Sequence, residues 1–288
     1  MVVHAGSLLF SATLKDAAGL KAVLDLVDKD FSQDAVSMQI SGNGLQIHII
    51  DDAQTSFLDA FFPAAKSAFS QFNCHVEHLK IWIKPSFLSN ALRSACGGKP
   101  GNTAGARVQM AIYEPADKLL LTVEPLFSTS TVSSRIKHTI TLLDPARDED
   151  STTIVDAADF TFTVEAFSEQ PGLFVEVAAQ LKSADCEEVE VLLDSKHFSF
   201  RTTQSKSGMI DTEVTVYPEA GGGRLCLYAE GDAEIRARYA FRHFQRIGRL
   251  CKAGCRVLFQ MADDAPFSIV CDLLHGGACQ LFLAPLID

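Results

Sequence analysis

The chain has 288 residues, of which 25 are Lys or Arg and 36 are Asp or Glu, so its formal net charge is −11, and 47% of its residues are hydrophobic. This length and this apolar content are enough for two ordinary domains, and they exclude a disordered chain. The acidic balance excludes a protein that coats nucleic acid with its general surface, so any contact with phosphates must be local.

The first half of the sequence is predicted to contain two helices among antiparallel strands. Strands are indicated by short alternating or apolar runs between turn residues, and helices by apolar residues three and four positions apart. In chain order we expect a strand at 7–13, a helix at 15–28, strands at 35–40, 45–50 and 56–62, a strand at 78–83, a helix at 86–96, and strands at 107–112 and 118–123.

The second half repeats this order. We expect a strand at 160–165, a helix at 171–181, strands at 188–193 and 197–202, a strand at 233–239, a helix to about 251, and strands at 256–261, 267–272 and 278–283. Each half then holds two helices, which indicates an α+β protein built by duplication. Two unrelated α+β segments are the alternative. We predict an N-terminal domain at 1–127, a connecting segment with an edge strand at 128–157, and a C-terminal domain at 158–288.

The last helix carries an unusual concentration of positive charge. Residues 235–262 contain seven basic residues and no acidic one, so the rest of the chain sums to −18 (−11 − 7). At 100° per residue, four arginines fall on one helix face, opposite an apolar face. They are Arg238, Arg242, Arg246 and Arg249. Because the planar guanidinium matches phosphate oxygens, this face is a candidate phosphate contact, with an ordinary solvated charged face as the alternative.

The sequence contains no pattern that demands an enzyme. It lacks the GxSxG, HExxH, P-loop and GxGxxG motifs, and its eight histidines form no recognisable acid and base constellation. Its eight cysteines are dispersed among apolar neighbours without the paired spacing of a zinc site. We therefore expect no catalytic residue, no metal and no cofactor, and a reducing intracellular compartment.

The order of elements resembles that of the DNA sliding clamp family, to which PCNA belongs. The resemblance rests on the duplicated halves, the connecting segment, the arginine helix and the terminal Leu-Ala-Pro-Leu-Ile at 283–287. The stretch 261–269 is similar to the turn that precedes the last strands of the family. The resemblance implies a clamp fold of two similar domains, each made of two β-α-β-β-β units, with the helices lining a ring channel and the sheets outside.

Within that family, the chain is more similar to the nine-one-one checkpoint clamp than to PCNA. The Met-Asp-Ser-Ser-His segment of PCNA is replaced here by Ile-Asp-Asp-Ala-Gln at 50–54. Segments 57–63, 69–72 and 84–89 look more like those of the checkpoint clamp.

The subunit that the chain resembles most is the Rad-nine type, with the Hus-one type close behind. The similarity lies in segments 135–139, 264–266 and 272–274. Rad-nine-type subunits usually carry a long phosphorylated tail, whereas this sequence ends after its last predicted strand. Either a tail was removed or the subtype is different.

The resemblance implies a non-enzymatic, nuclear subunit of a ring that encircles double-stranded DNA without sequence preference. It also implies two related clamp subunits, a clamp loader, and repair and checkpoint proteins as partners, and no membrane. The basic residues that it assigns to channel-facing helices are Lys15, Lys21, Arg93, Lys182, Arg242, Arg246 and Arg249.

Two further sites follow from the same resemblance. Subunits of the family join head to tail by pairing edge strands, here 135–143 and 209–217. The interface residues expected on these strands are Arg135, Lys137, Thr139, Thr141, Asp211, Glu213 and Thr215. A pocket for partner peptides is expected at Ile50, Gln54, Phe57, Pro266, Phe282, Ala284 and Pro285, although each of these residues could equally be ordinary core.

Two other functions remain open from sequence. The chain could be a homotrimeric replication clamp of the PCNA type, which differs only in its interfaces. From another class, it could be a metal-dependent nuclease with Asp51 and Asp52, or Asp263 and Asp264, as metal ligands.

Overall fold

The computed structural model describes residues 6–31, 33–65, 68–96, 106–125, 135–144, 160–183, 186–202, 212–218, 225–273 and 276–287. The chain divides into two compact units. The first comprises Met1–Ile49, Asp59–Thr152 and Leu274–Ala278, and the second comprises Ile50–Leu58, Thr153–Leu273 and Cys279–Asp288. The predicted domain boundaries at 127 and 157 lie outside the described residues and stay a prediction.

The first half of the chain contains two helices among antiparallel strands. Its elements are β1 (Leu8–Leu14), α1 (Ala18–Leu26) with a π-helical end (Val27–Phe31), β2 (Val36–Ser41), β3 (Gly44–Ile50), β4 (Ser56–Pro63), β5 (Phe69–Cys74), β6 (His78–Ile83), α2 (Pro85–Cys96), β7 (Ala106–Tyr113), β8 (Lys118–Pro125) and β9 (Ile136–Thr141). Neighbouring strands run in the orders β5-β1-β7-β8-β9 and β4-β3-β2-β6.

The second half has the same composition. Its elements are β10 (Val164–Ser168), α3 (Gly172–Ser183), β11 (Glu188–Leu193), β12 (Phe198–Thr202), β13 (Glu213–Val216), β14 (Leu225–Ala229), β15 (Ile235–Ala240), α4 (Phe241–Ala253), β16 (Gly254–Met261), β17 (Phe267–Leu273) and β18 (Ala278–Leu283). Neighbouring strands run in the orders β14-β10-β16-β17-β18 and β13-β12-β11-β15.

The strand orders of the first half match those of the second half when corresponding strands are compared. β1 pairs with β5 and β7, as β10 pairs with β14 and β16. β2 pairs with β3 and β6, as β11 pairs with β12 and β15. The predicted duplication is therefore confirmed. β5 and β14 were missed, because neither sequence alternates regularly between polar and apolar residues; in β14 even the exposed positions, Cys226 and Tyr228, are apolar.

The predicted start of α1 and the placement of Arg238 on the last helix need correction. α1 begins at Ala18 and not at residue 15, and the Ala18 N–H donates to the Asp16 carboxylate at 2.7 Å. α4 begins at Phe241, so Arg238 belongs to strand β15 and not to the arginine face of the helix.

Within the described part of the chain, no helix is long and apolar enough to cross a membrane.

Aromatic side chains fill the core on which α4 lies. Phe259 is central, with its ring centroid 4.3 Å from Phe174 and 5.2 Å from Phe198. Phe244 of α4 packs edge-on against Phe200 at 5.7 Å. A Cβ at Gly248 would lie 2.9 Å from the Ala178 Cβ, so glycine there allows α3 and α4 to approach closely.

Candidate nucleic-acid interface

Helix α4 has a buried face and an exposed cationic face, as predicted. Phe244 and Ile247 are buried in the core of the second unit, whereas Arg242, Arg249 and Lys252 are exposed. Arg242 and Arg249 are seven residues apart, so they share one side of the helix about 10 Å from each other along its axis. No acidic residue lies within α4. The exposed side of this helix can therefore offer several cations to a polyanion.

Arg246 does not belong to that exposed side, which corrects the sequence prediction. Its side chain and that of Asp51 are each only 6% exposed, and its Nη1 lies 3.0 Å from the Asp51 Oδ2. Arg246 also donates to the Ser56 hydroxyl. Arg246 is rotated by about 40° from Arg242 around the helix, which places it at the border between the two faces. A guanidinium paired in this way cannot contact a phosphate without breaking a buried ion pair.

Asp51 is held as a carboxylate by the loop that follows it. Its Oδ1 accepts the backbone N–H groups of Thr55 and Ser56 at 2.7 and 3.0 Å. Its Oδ2 accepts the hydroxyls of Thr55 and Ser56 at 3.1 and 2.7 Å, as well as Arg246. Burial raises the pKa of Asp51, but the hydrogen bonds from Ser56 and Arg246 outweigh burial and lower the pKa to about 2.

His243 lies beneath the same arginines and is neutral at physiological pH. Its side chain is 1% exposed, and burial, together with the charges of Arg246 and Arg242, lowers its pKa to about 4. The ring Nδ1 is 3.4 Å from the Arg246 Nη1, so the neutral ring accepts a hydrogen bond there. Sequence reasoning found no acid and base constellation among the histidines, and it did not find the link between His243 and Arg246.

The other predicted DNA contacts differ in their surroundings. Lys15 is exposed, but it precedes α1, so the prediction that it lies on a helix is wrong. Lys21 is half-buried, and its Nζ is 2.5 Å from the Asp25 Oδ2 one turn further on, so most of its charge is compensated. Arg93 is exposed and donates to Asn90 at 2.7 Å. Lys182 is exposed in the last turn of α3.

The seven residues predicted for the peptide pocket differ in their exposure. Phe57 and Phe282 stack on each other with centroids 6.0 Å apart, and both are buried. The half-buried residues of the set are Ile50, Pro266, Ala284 and Pro285, and Gln54 is exposed with a left-handed φ of 53°. All seven residues belong to the second unit. The half-buried residues and Gln54 are therefore accessible to a partner, whereas the two phenylalanine rings are buried.

The two strands predicted to join neighbouring subunits both lie at sheet edges. β9 ends one strand order and β13 ends another. On the first, Lys137, Thr139 and Thr141 are exposed, and Arg135 just before it is paired with Glu124.

The second predicted edge strand is shorter than expected, because it begins at Glu213. Glu213 is exposed and Thr215 is half-buried, whereas Asp211 lies outside the described residues.

Sequence reasoning missed one apolar residue beside β9. Phe87 of α2 is 55% exposed, and with Asn90 and Ala91 it lines a shallow groove of about 570 Å³ next to residues 137–141. Helical periodicity could have identified Phe87 as exposed, because it lies outside the buried stripe that contains Leu88 and Leu92.

The paired aspartates of the nuclease alternative are not arranged as a metal centre. The Asp51 carboxylate already accepts five hydrogen bonds, which leaves it little capacity to bind a cation. Asp263 and Asp264 are exposed in the turn between β16 and β17. Across the described ranges, no group of three or more His, Cys, Asp or Glu side chains is placed to hold a metal ion.

The duplicated topology and the helix pairs define the class of protein: the chain has the α+β fold of a PCNA-like DNA clamp. The structure is similar to that of proliferating cellular nuclear antigen from Entamoeba histolytica, with a TM-score of 0.77 and 16% sequence identity over 97% of this chain and 100% of the other. The sequence is 21% identical over 255 residues to the DNA polymerase sliding clamp 3 of Aeropyrum pernix, which covers 86% of this chain and 87% of that protein. No family model matches the chain.

Together, these two comparisons show that the chain is similar to DNA sliding clamps of the PCNA type and support the predicted clamp fold.

Proposed function

We propose that this chain is one subunit of a ring-shaped DNA sliding clamp of the DNA-damage checkpoint type. The ring encircles double-stranded DNA without sequence preference and serves as a platform for repair and checkpoint-signalling proteins in the nucleus. The observation that carries the DNA-binding part is the exposed face of α4, where Arg242, Arg249 and Lys252 lie on a helix without acidic residues in a chain of net charge −11.

This charge distribution suits a protein that holds DNA loosely at one surface. The excess of acidic residues elsewhere repels the phosphate backbone, whereas the exposed cations of α4 attract it. Contacts of this kind reach phosphates and not base edges, so they carry no sequence preference and weaken steeply with salt. Arg93 and Lys182 add exposed cations on two other helices. Lys21 contributes less because Asp25 neutralises it.

Assembly into a ring would use β9 of one subunit and β13 of the next. Both strands lie at sheet edges, and a strand at an edge has backbone groups that can pair with another chain. The exposed Lys137 and Glu213 on these strands have opposite charges. This contrast would suit self-pairing as well as pairing with related subunits. The preference for two related clamp subunits therefore comes from the sequence resemblance to the nine-one-one clamp, of which we propose the Rad-nine type ahead of the Hus-one type.

The half-buried residues around Phe57 and Phe282 are the proposed docking site for repair and checkpoint proteins. Pro266, Ala284 and Pro285 offer a mainly apolar surface to a hydrophobic side chain of a partner. A clamp loader is the further partner, since a closed ring must be opened to admit DNA.

A homotrimeric replication clamp is the second candidate function. It is favoured by the names of the similar proteins, a DNA polymerase sliding clamp and a proliferating cellular nuclear antigen. The two candidates share the DNA-binding helix and differ in the identity of the neighbouring subunits.

Measurement of mass in solution by light scattering separates the two candidates. For the checkpoint type we expect a monomer when the chain is alone and a one-to-one-to-one ring when two related clamp subunits are added. Thr139→Pro in the edge strand β9 should prevent ring formation, because proline cannot donate to a strand ladder, and Thr139→Val is the matched control that should still assemble. A stable homotrimer of the unmodified chain at micromolar concentration would overturn the checkpoint type and establish the replication clamp.

A further inference from the structure

The loop that contains Gln54 of the predicted partner pocket also contacts the arginine helix. The loop runs from Asp51, just after β3, to Ser56, the first residue of β4, and it belongs to the same unit as α4. Two of its side chains bond to arginines of α4: Thr55 accepts from the Arg242 Nη2 at 3.1 Å, and Ser56 accepts from Arg246. The loop thus meets both a buried and an exposed arginine of the helix.

The hydroxyl of Thr55 has a defined direction. Its proton is donated to the Asp51 Oδ2 at 3.1 Å, which leaves its oxygen lone pairs for the Arg242 guanidinium. Because Asp51 is charged, the threonine hydroxyl is polarised towards it and becomes a better acceptor for the arginine. The carboxylate of Asp51 therefore acts on Arg242 through Thr55 and on Arg246 directly.

Thr55 is itself fixed by its backbone. Its N–H donates to the Asp51 Oδ1 at 2.7 Å, and its carbonyl accepts the N–H of Ala284 at 2.9 Å. With the hydroxyl bond to Asp51, three bonds hold the residue in place before it meets the arginine. An exposed arginine normally loses considerable side-chain entropy when it is ordered on a ligand. A guanidinium already directed by a fixed acceptor loses less of it on binding.

We infer that Thr55, supported by Asp51, is a positioning residue for the DNA-binding face: it holds the Arg242 guanidinium in place at the surface of α4. This inference rests on the proposed function, because it assumes that Arg242 contacts phosphates. Thr55 itself makes no phosphate contact in this role. Removal of the Thr55 hydroxyl should lower the affinity for DNA without changing the number of phosphates that are neutralised.

The test measures the binding of the chain to a fluorescein-labelled duplex of about 20 base pairs and mixed sequence, by anisotropy across a range of potassium chloride concentrations. Arg242→Gln removes a phosphate contact, so the slope of log K against log salt should decrease in magnitude by about 0.9. Thr55→Val keeps the shape of the side chain but removes the hydroxyl. It should weaken binding about three- to tenfold at every salt concentration, with the slope of the unmodified chain.

Two further variants make the result specific. Thr55→Ser restores the hydroxyl and should recover the affinity of the unmodified chain. Thr161→Val, at an exposed threonine of the same unit, is the matched control and should change nothing.

The possible failures are distinguishable. If Arg242→Gln weakens binding but Thr55→Val binds like the unmodified chain, the positioning role is overturned and the DNA-binding face stands. The positioning role is also overturned if Thr55→Ser binds as weakly as Thr55→Val, since the hydroxyl would then not be the cause. If Arg242→Gln leaves both affinity and slope unchanged, the proposed DNA-binding face fails and the positioning role fails with it.

Discussion

Helices α1 and α4 compensate positive charge in different ways. In α1, Lys21 pairs with Asp25, one turn further along the same helix, and both side chains are partly exposed. In α4, Arg246 pairs with Asp51, which lies 195 positions earlier in the chain, and both side chains are buried. α1 therefore supplies its own counter-charge, whereas α4 takes one from a distant loop, where Asp51 pairs directly with Arg246.

This difference shows that the number of cations on a helix does not give its exposed charge. Exposed pairs at i and i+4 on a helix contribute about 0.3 to 0.5 kcal/mol and are screened by salt. A buried pair whose partner is removed costs about 3 to 5 kcal/mol, because the remaining charge is left without compensation in the interior. The two pairs should therefore respond very differently to mutation.

The largest effect is expected at Asp51. Asp51→Asn should lower the free energy of unfolding by about 3 to 5 kcal/mol in urea denaturation, because the buried Arg246 guanidinium loses its counter-charge. The neighbouring Asp52 is exposed, so Asp52→Asn is the matched control and should change stability by no more than about 0.5 kcal/mol. Equal, small losses for both variants would remove the contrast between the two helices.

A second effect follows from the pKa of His243. That pKa is about 4 in the folded chain, below the ordinary histidine value of 6.5, so the unfolded chain binds more protons between these pH values. The contribution of His243 to stability is therefore complete above about pH 6.5 and is lost as the pH falls through 4. We expect a loss of about 3 kcal/mol over this range.

The variant His243→Asn sharpens this prediction, since asparagine keeps a hydrogen-bond acceptor but does not titrate in this range. The pH dependence of its stability between 6.5 and 4 should be much flatter in urea denaturation. An unchanged pH profile would show that another group is responsible. Asp51 cannot be that group, because its pKa of about 2 places its loss of stability below about pH 4.

The smallest effect is expected at the local pair of α1. Lys21→Ala should lower the free energy of unfolding by no more than about 0.5 kcal/mol, and about 1 M salt should remove most of the difference from the unmodified chain. A salt-independent loss above about 1.5 kcal/mol would mean that the pair behaves as a buried one, and the comparison with Arg246 would no longer hold.

The sequence by itself determined the class of fold and the duplication. Helix and strand patterns are local, because side chains three or four positions apart share a helix face and alternate ones share a strand face. The buried face of α4, with Phe244 and Ile247, could be derived in the same way. The edge strands β5 and β14 could not be derived in this way, because their sequences, Phe-Ser-Gln-Phe-Asn-Cys and Leu-Cys-Leu-Tyr-Ala, do not alternate regularly between polar and apolar residues.

Only the tertiary structure decided which cations of α4 face the solvent. Arg242 and Arg246 are chemically identical and one turn apart, yet the first is exposed and the second is buried against Asp51. Helical periodicity gives the direction of a side chain, but it does not show which distant segment covers that direction. The acidic partner lies in another part of the sequence, and its contact with Arg246 exists only after the chain has folded.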